Sequence, residues 1–274
     1  MKKYLAVVLA VVMAVACCAV LAGCTQPVTT TGSYHYENPW AAGSYYGCEA
    51  TVTVKGDTIE SVVISEDSAT GWTNLSAGWT DKGIYEAAEE DYIAGFAGES
   101  VEDVLAAEVE LNAKGVPQSV TEAYLVAGAT QTSGRVVLAI QSALGKHTAV
   151  GSYHSENPWA AGSYYGCAVK VVTNANGKIT SVSVFSDEAT GWTNLSAGWG
   201  DRQIYIDGET AFIASFANAN ISDVLGIAVT VNASGVPQTL GTTTHVVTGA
   251  TQTCGRVILA VQAALGRQNL VTPE

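Results

Sequence analysis

The chain has 274 residues, 48% of them hydrophobic and only 14% charged, with a formal net charge of −13. That composition is globular rather than disordered, and it fills one large core or two ordinary ones. An acidic balance argues against nucleic acid as a partner, because its binders need basic faces, and favours solubility or a basic partner.

The first residues stand apart from any core. Lys2 and Lys3 precede an uncharged apolar run from Tyr4 to Gly23, followed by Cys24. A positive start, an apolar stretch and small residues before a cut read as a secretory signal peptide over residues 1–24. Its end, Leu21-Ala22-Gly23-Cys24, resembles the lipobox of bacterial lipoproteins, whose cysteine is lipidated and becomes the first residue of the mature chain. The resemblance implies a lipid anchor at Cys24, on the extracytoplasmic face of the cell membrane. About 20 apolar residues are also long enough for a plain membrane-spanning anchor. A diacylglyceryl cysteine carries more than one acyl chain and therefore anchors stably.

Loss of the segment before Cys24 removes two lysines and no acids, leaving 10 basic and 25 acidic side chains. The acids are uneven: residues 25–148 carry 17 against 5 basic, and residues 149–274 carry 8 against 5. Cys48, Cys167 and Cys254 remain, an odd number. Cys48 with Cys167, Cys167 with Cys254, or no disulfide are all open. No Cys/His spacing of a metal site is present, so no metal is expected.

After a linker over 25–31 the chain repeats itself. GSYHYENPWAAGSYYGC (Gly32–Cys48) returns as GSYHSENPWAAGSYYGC (Gly151–Cys167), and ATGWTNLSAGW (Ala69–Trp79) returns unchanged as Ala189–Trp199. The period of about 120 residues is a domain length, which gives two similar domains over 32–146 and 151–268 with a short joint around Gly145–Val150. In each, a β-hairpin comes first. CEATVTVKGDTIESVVISED turns at Lys55-Gly56-Asp57, and CAVKVVTNANGKITSVSVFSD turns at an Asn-Gly pair. Helical stretches follow (EEDYIAGFAG and ESVEDVLAAEV, then TAFIASFANANISDVLG), and after them a short possible strand. Last comes a helix with apolar Val136, Val137, Ile140 and Leu144 near helical spacing. Segregated runs of strands and helices predict an α+β fold rather than a parallel α/β one.

The turn before that last helix recurs as well: AGATQTSGRVVLAIQSAL (Ala127–Leu144) and TGATQTCGRVILAVQAAL (Thr248–Leu265). Thr132, Ser133, Thr253 and Cys254 sit where ordinary N-caps would be. A helix N-terminus is also a ready anion site, because its N–H groups and dipole favour a phosphate. Gly128-Ala129 and Gly249-Ala250 keep the turn small enough for a bulky group to lie close to the backbone.

This order of elements resembles the FMN-binding domain found in subunits of sodium-translocating and Rnf-type electron-transfer complexes and in tandem extracellular flavin lipoproteins. Members share an early hairpin and a late [Ser/Thr]-Gly-Ala-Thr-x-[Thr/Ser] signature opening a helix. In that family a flavin transferase moves FMN from FAD onto the Thr of Gly-Ala-Thr as a phosphoester. The resemblance covers both repeats and implies Thr130 and Thr251 as acceptors, with Thr132 and Thr253 on the second hydroxyl position. It implies one covalent FMN per domain and no metal in the finished carrier. Two departures stand out. Tyr124 and His245 occupy positions where the family often has Asp, and Ala127 replaces the first Ser/Thr that Thr248 supplies in the second repeat. The second domain therefore matches better.

A flavin ring needs apolar or aromatic walls and a few hydrogen bonds. Trp72 and Trp79, with Trp192 and Trp199, are the candidate wall, aided by Thr73 and Asn74 and their counterparts Thr193 and Asn194. Core filling is the competing use of such large aromatics. His35 and His154 read as surface or turn histidines, and Arg135 and Arg256 either pair with the FMN phosphate or face solvent. No Ser/His/Asp order, P-loop or dinucleotide fingerprint appears. The expected function is a membrane-anchored, extracytoplasmic electron carrier. It takes electrons from a membrane donor and passes them to an extracellular or membrane acceptor, as a redox module rather than a stand-alone enzyme. The alternative is a lipoprotein that binds a small ligand or surface partner without flavin, with the turn serving as a plain cap.

Overall fold

The computed structural model describes residues 26–38, 43–65, 82–157, 160–185 and 202–269. Their architecture is α+β: four separate antiparallel sheets and six α-helices. The first sheet comprises β1 (Val28–Glu37), β2 (Tyr45–Lys55) and β3 (Thr58–Ser65), in that spatial order. β2 and β3 are the expected hairpin, with Gly56 and Asp57 at its turn. Along β2 the alternate residues Tyr46, Cys48, Ala50 and Val52 are all buried, as the period of two requires when one face meets a core.

β1 was not expected. It pairs with β2 from Val28↔Val54 to Glu37↔Tyr45, so most of the stretch read as a linker over 25–31 is strand from Val28 onward. The opening block of the repeat is thus a third strand that folds back on the hairpin.

Two helices follow the sheet, α1 (Lys82–Ala94) and α2 (Val101–Ala106). Next comes a small hairpin of β4 (Val109–Leu111) and β5 (Pro117–Val120), and then α3 (Thr130–Ala143). Every residue of α3 from Thr132 to Ala143 is buried, because the helix is a middle layer with the sheet on one side and the β4–β5 hairpin and α2 on the other. Val136, Val137 and Ile140 are wholly enclosed, each contributing about 1.5–3 kcal/mol of burial. The buried Gln141 fastens α2 to this layer, its amide N–H groups donating to Val104 O and Ala107 O, both at 2.8 Å.

The second half repeats the plan. β6 (Lys146–Glu156), β7 (Tyr164–Asn174) and β8 (Ile179–Phe185) form the sheet; α4 (Arg202–Ala214) and α5 (Ile221–Leu225) follow it. β9 (Val229–Val231) and β10 (Pro237–Leu240) are the small hairpin, and α6 (Thr251–Asn269) the central helix. Each half has its own apolar core. The joint expected around Gly145–Val150 is much tighter than a linker. Leu144 and Gly145 make the turn, and β6 begins at Lys146.

Candidate functional site

Each central helix runs antiparallel to the first strand of its sheet. At one end Gly32 lies against the backbone of Ala143; at the other, Tyr36 meets Arg135. The Gly-Ala-Thr turn therefore sits at the end of the sheet where Glu37 and Tyr45 pair and where β3 finishes at Ser65. α1 starts nearby, with Ile84 against Gly128.

At the turn, Gly128 and Gly249 have φ of 85° and 90°, a left-handed conformation in which glycine carries no steric cost. Ala129 and Ala250 are completely buried. The helix begins on the next residue, so Thr130 and Thr251 are first helical residues. Both are half-buried, and their hydroxyls make no hydrogen bond among the described residues. Ala127 and Thr248 are exposed.

The capping expectation is overturned. Ala129 is the N-cap of α3, and no side-chain cap hydrogen bond is made there among the described residues. Thr132 and Thr253 lie inside their helices at 2% exposure rather than at the cap. Ser133 Oγ is turned inward: it donates to Ala129 O at 2.9 Å and accepts from the Val126 N–H at 3.1 Å. Cys254 takes the same place in the second half, its Sγ accepting from the Val247 N–H at 3.3 Å. It and the equally buried Cys48 and Cys167 are not in disulfides.

Arg135 and Arg256 do not face solvent; they are 0% and 1% exposed. Arg135 donates to Tyr36 OH at 2.8 Å and to Thr132 Oγ1 at 3.0 Å, with its guanidinium 5.8 and 5.9 Å from the Tyr36 and Tyr46 rings. Arg256 donates to Ser155 Oγ at 3.4 Å and lies 5.4 Å from the Tyr165 ring. A buried cation held by aromatic faces and hydroxyls one turn below the threonine gives this end of each helix a positive potential beyond its dipole.

Four further residues at the turns, two in each half, went unrecognised in the sequence. The side-chain oxygens of Gln131 and Gln252 are buried and accept no hydrogen bond among the described residues. Ile84 and Ile204 are 47% and 44% exposed and rest on Gly128 and Gly249. The signal was the repetition itself, since Asp81-Lys-Gly-Ile-Tyr85 returns as Asp201-Arg-Gln-Ile-Tyr205.

The positions where aspartate was expected are structural. Tyr124 stacks on Phe96 at 5.4 Å and His245 on Phe216 at 4.5 Å, both nearly parallel. Burial and the Glu99 carboxylate push the Tyr124 phenol up to about 12, and burial lowers His245. His35 and His154 lie on the first strands, edge-on to Tyr45 and Tyr164. Trp72, Thr73, Trp192 and Thr193, with Asn74, Asn194, Trp79 and Trp199, fall outside the described residues, as does Cys24.

Among the described residues these features fit a flavin phosphoester: an unengaged hydroxyl on a helix's first residue, a buried cation on the same helix, and a buried acceptor, unused there, for a ribityl hydroxyl. Among the described residues no helix is long and apolar enough to cross a membrane, and no group of three or more His, Cys, Asp or Glu is placed to hold a metal. No protein-family model, curated protein or solved structure matches the chain.

Proposed function

We propose that the chain is an extracytoplasmic electron carrier, anchored through a lipidated Cys24, that holds one covalent FMN in each half on Thr130 and Thr251. One observation carries the reading. In both halves the first helical residue presents a hydroxyl with no hydrogen bond among the described residues, beside a left-handed glycine and on the same helix as a buried arginine. Thr132, Ser133 and Thr253 do not serve as plain caps, because they lie inside their helices.

FMN, when bound, supplies one- and two-electron redox chemistry. The chain's own part is to hold it. Thr130 and Thr251 Oγ1 would bear the phosphoester, each losing its proton as a flavin transferase moves FMN from FAD and releases AMP. First-turn amides would hold the phosphate oxygens, and Arg135 and Arg256 would help balance the phosphate charge. Covalent attachment prevents loss of the cofactor outside the cell. A membrane donor supplies the electrons, and an extracellular or membrane acceptor takes them.

The test is the intact mass of the exported chain after co-expression with a flavin transferase, beside Thr130→Ala and Thr251→Ala. The expected result is a gain of two FMN, with each substitution removing one. No gain and no flavin absorbance would reject the carrier reading.

A further inference from the structure

We infer that Ile84 and Ile204 are the apolar seats on which the flavin rings rest, one in each half. The inference depends on the flavin reading and assigns it residues that the signature does not contain.

The first ground is misplaced apolarity. The neighbouring Tyr85 and Tyr205 are wholly buried and anchor α1 and α4 to their cores. Ile84 and Ile204 add nothing to those cores and leave nearly half their surface in water. A single exposed aliphatic residue is ordinary. Two at equivalent positions, each touching the same glycine of the same turn, form a repeated local arrangement. Ile84 Cδ1 lies 3.1 Å from where a Gly128 Cβ would stand, and Ile204 Cδ1 lies 3.3 Å from the Gly249 counterpart.

The second ground is what changed between the repeats and what did not. The flanking pairs Lys82-Gly83 and Arg202-Gln203 differ, and Glu86 becomes Ile206, while the isoleucine stays. Ile206 is itself 38% exposed. The second half thus gained apolar surface beside its seat.

The third ground is the connectivity of the cofactor. A ribityl chain separates the phosphate of FMN from its ring, so the ring's support belongs beside the turn rather than within it. Ile84 and Ile204 are beside the turn, on a separate helix from the threonine. A branched aliphatic side chain there covers one ring face and excludes water from it.

Loading must be separated from seating to test this. In a Thr251→Ala chain, where only Thr130 takes FMN, Ile84→Ser and Ile84→Leu are compared by intact mass and by iodide quenching of flavin fluorescence. Ile204→Ser in the same background is the control. Ile84→Ser is expected to load fully and to quench about two-fold more readily, because the ring face that Ile84 covers is then open to water. Ile84→Leu and Ile204→Ser should quench like the parent. Full loading with unchanged quenching in Ile84→Ser would overturn the seat. Loss of loading in a folded Ile84→Ser chain would also overturn it, in favour of a contact with the transferase. A parent that takes up no FMN would instead reject the flavin reading itself.

Discussion

Tyr124 and His245 fill the same place in the two halves, stacked on Phe96 and Phe216, yet they respond to pH in opposite directions. Burial lowers His245, which also bonds Ser215 through Nδ1 at 2.8 Å, and burial lowers His147 beside Ser142. A histidine lowered on folding binds its proton more readily in the unfolded chain. Its contribution is therefore complete above the unfolded value near 6.5 and is lost as pH falls through the folded value. The Tyr124 phenol is raised to about 12, so its contribution is complete below its ordinary value near 10 and fades as pH climbs towards 12. His245→Phe keeps the stacked ring and removes the titration. The midpoint of denaturant unfolding should fall between pH 7 and 5 in the parent, and less steeply in His245→Phe. Equal slopes would mean that this histidine is not a source of acid sensitivity.

Gly32 and Gly151 set how closely each first strand approaches its central helix. A Cβ on Gly32 would collide with Ala143 N, and one on Gly151 with Ala264 N and Ala260 O. Backbone cannot step aside as a side chain can, so Gly32→Ala should lose about 2 kcal/mol or more of stability. Gly83→Ala in α1, where nothing lies within 4 Å, should be neutral or gain up to about 1 kcal/mol. Thermal melts of the two variants decide; a silent Gly32→Ala would mean that β1 is free to shift. The same strand marks where the sequence stopped being legible. The β2–β3 hairpin and the central helix were readable, because their periods of two and near 3.6 are local patterns. β1 was hidden by a glycine that serves a distant helix and by an Asn-Pro that reads as a turn. Its buried tyrosines, Tyr34 and Tyr36, gain meaning only once Gly115 O and Arg135 are seen to engage them. The helix start was misplaced for a related reason. Ser133 looks like a cap in sequence, but its hydroxyl bonds back to Ala129 O inside the helix, an alternative always open to serine.

For the molecule as a whole, duplication places two similar turns on one acidic chain. The halves share a plan, but not a charge. Residues 25–148 hold 17 acids against 5 bases, so the first half has an excess of 12, whereas residues 149–274 hold 8 against 5, an excess of 3. Such a field attracts cations and repels anions over roughly a Debye length, about 10 Å at 0.1 M salt. An electron carrier with this surface exchanges fastest with a cationic partner, and the difference should reside mainly in the first half. The reduced, FMN-loaded chain should therefore pass electrons to a small cationic acceptor at a rate that falls as salt rises from about 10 to 300 mM, a range over which screening becomes strong. A small anionic acceptor should show the reverse. The Thr251→Ala chain, loaded only in its first half, should be the more salt-sensitive of the two singly loaded forms. Stopped-flow measurement of flavin reoxidation separates the cases. If neither acceptor responds to salt, the acidic surface serves solubility alone, and partner choice lies in the contacts around each turn.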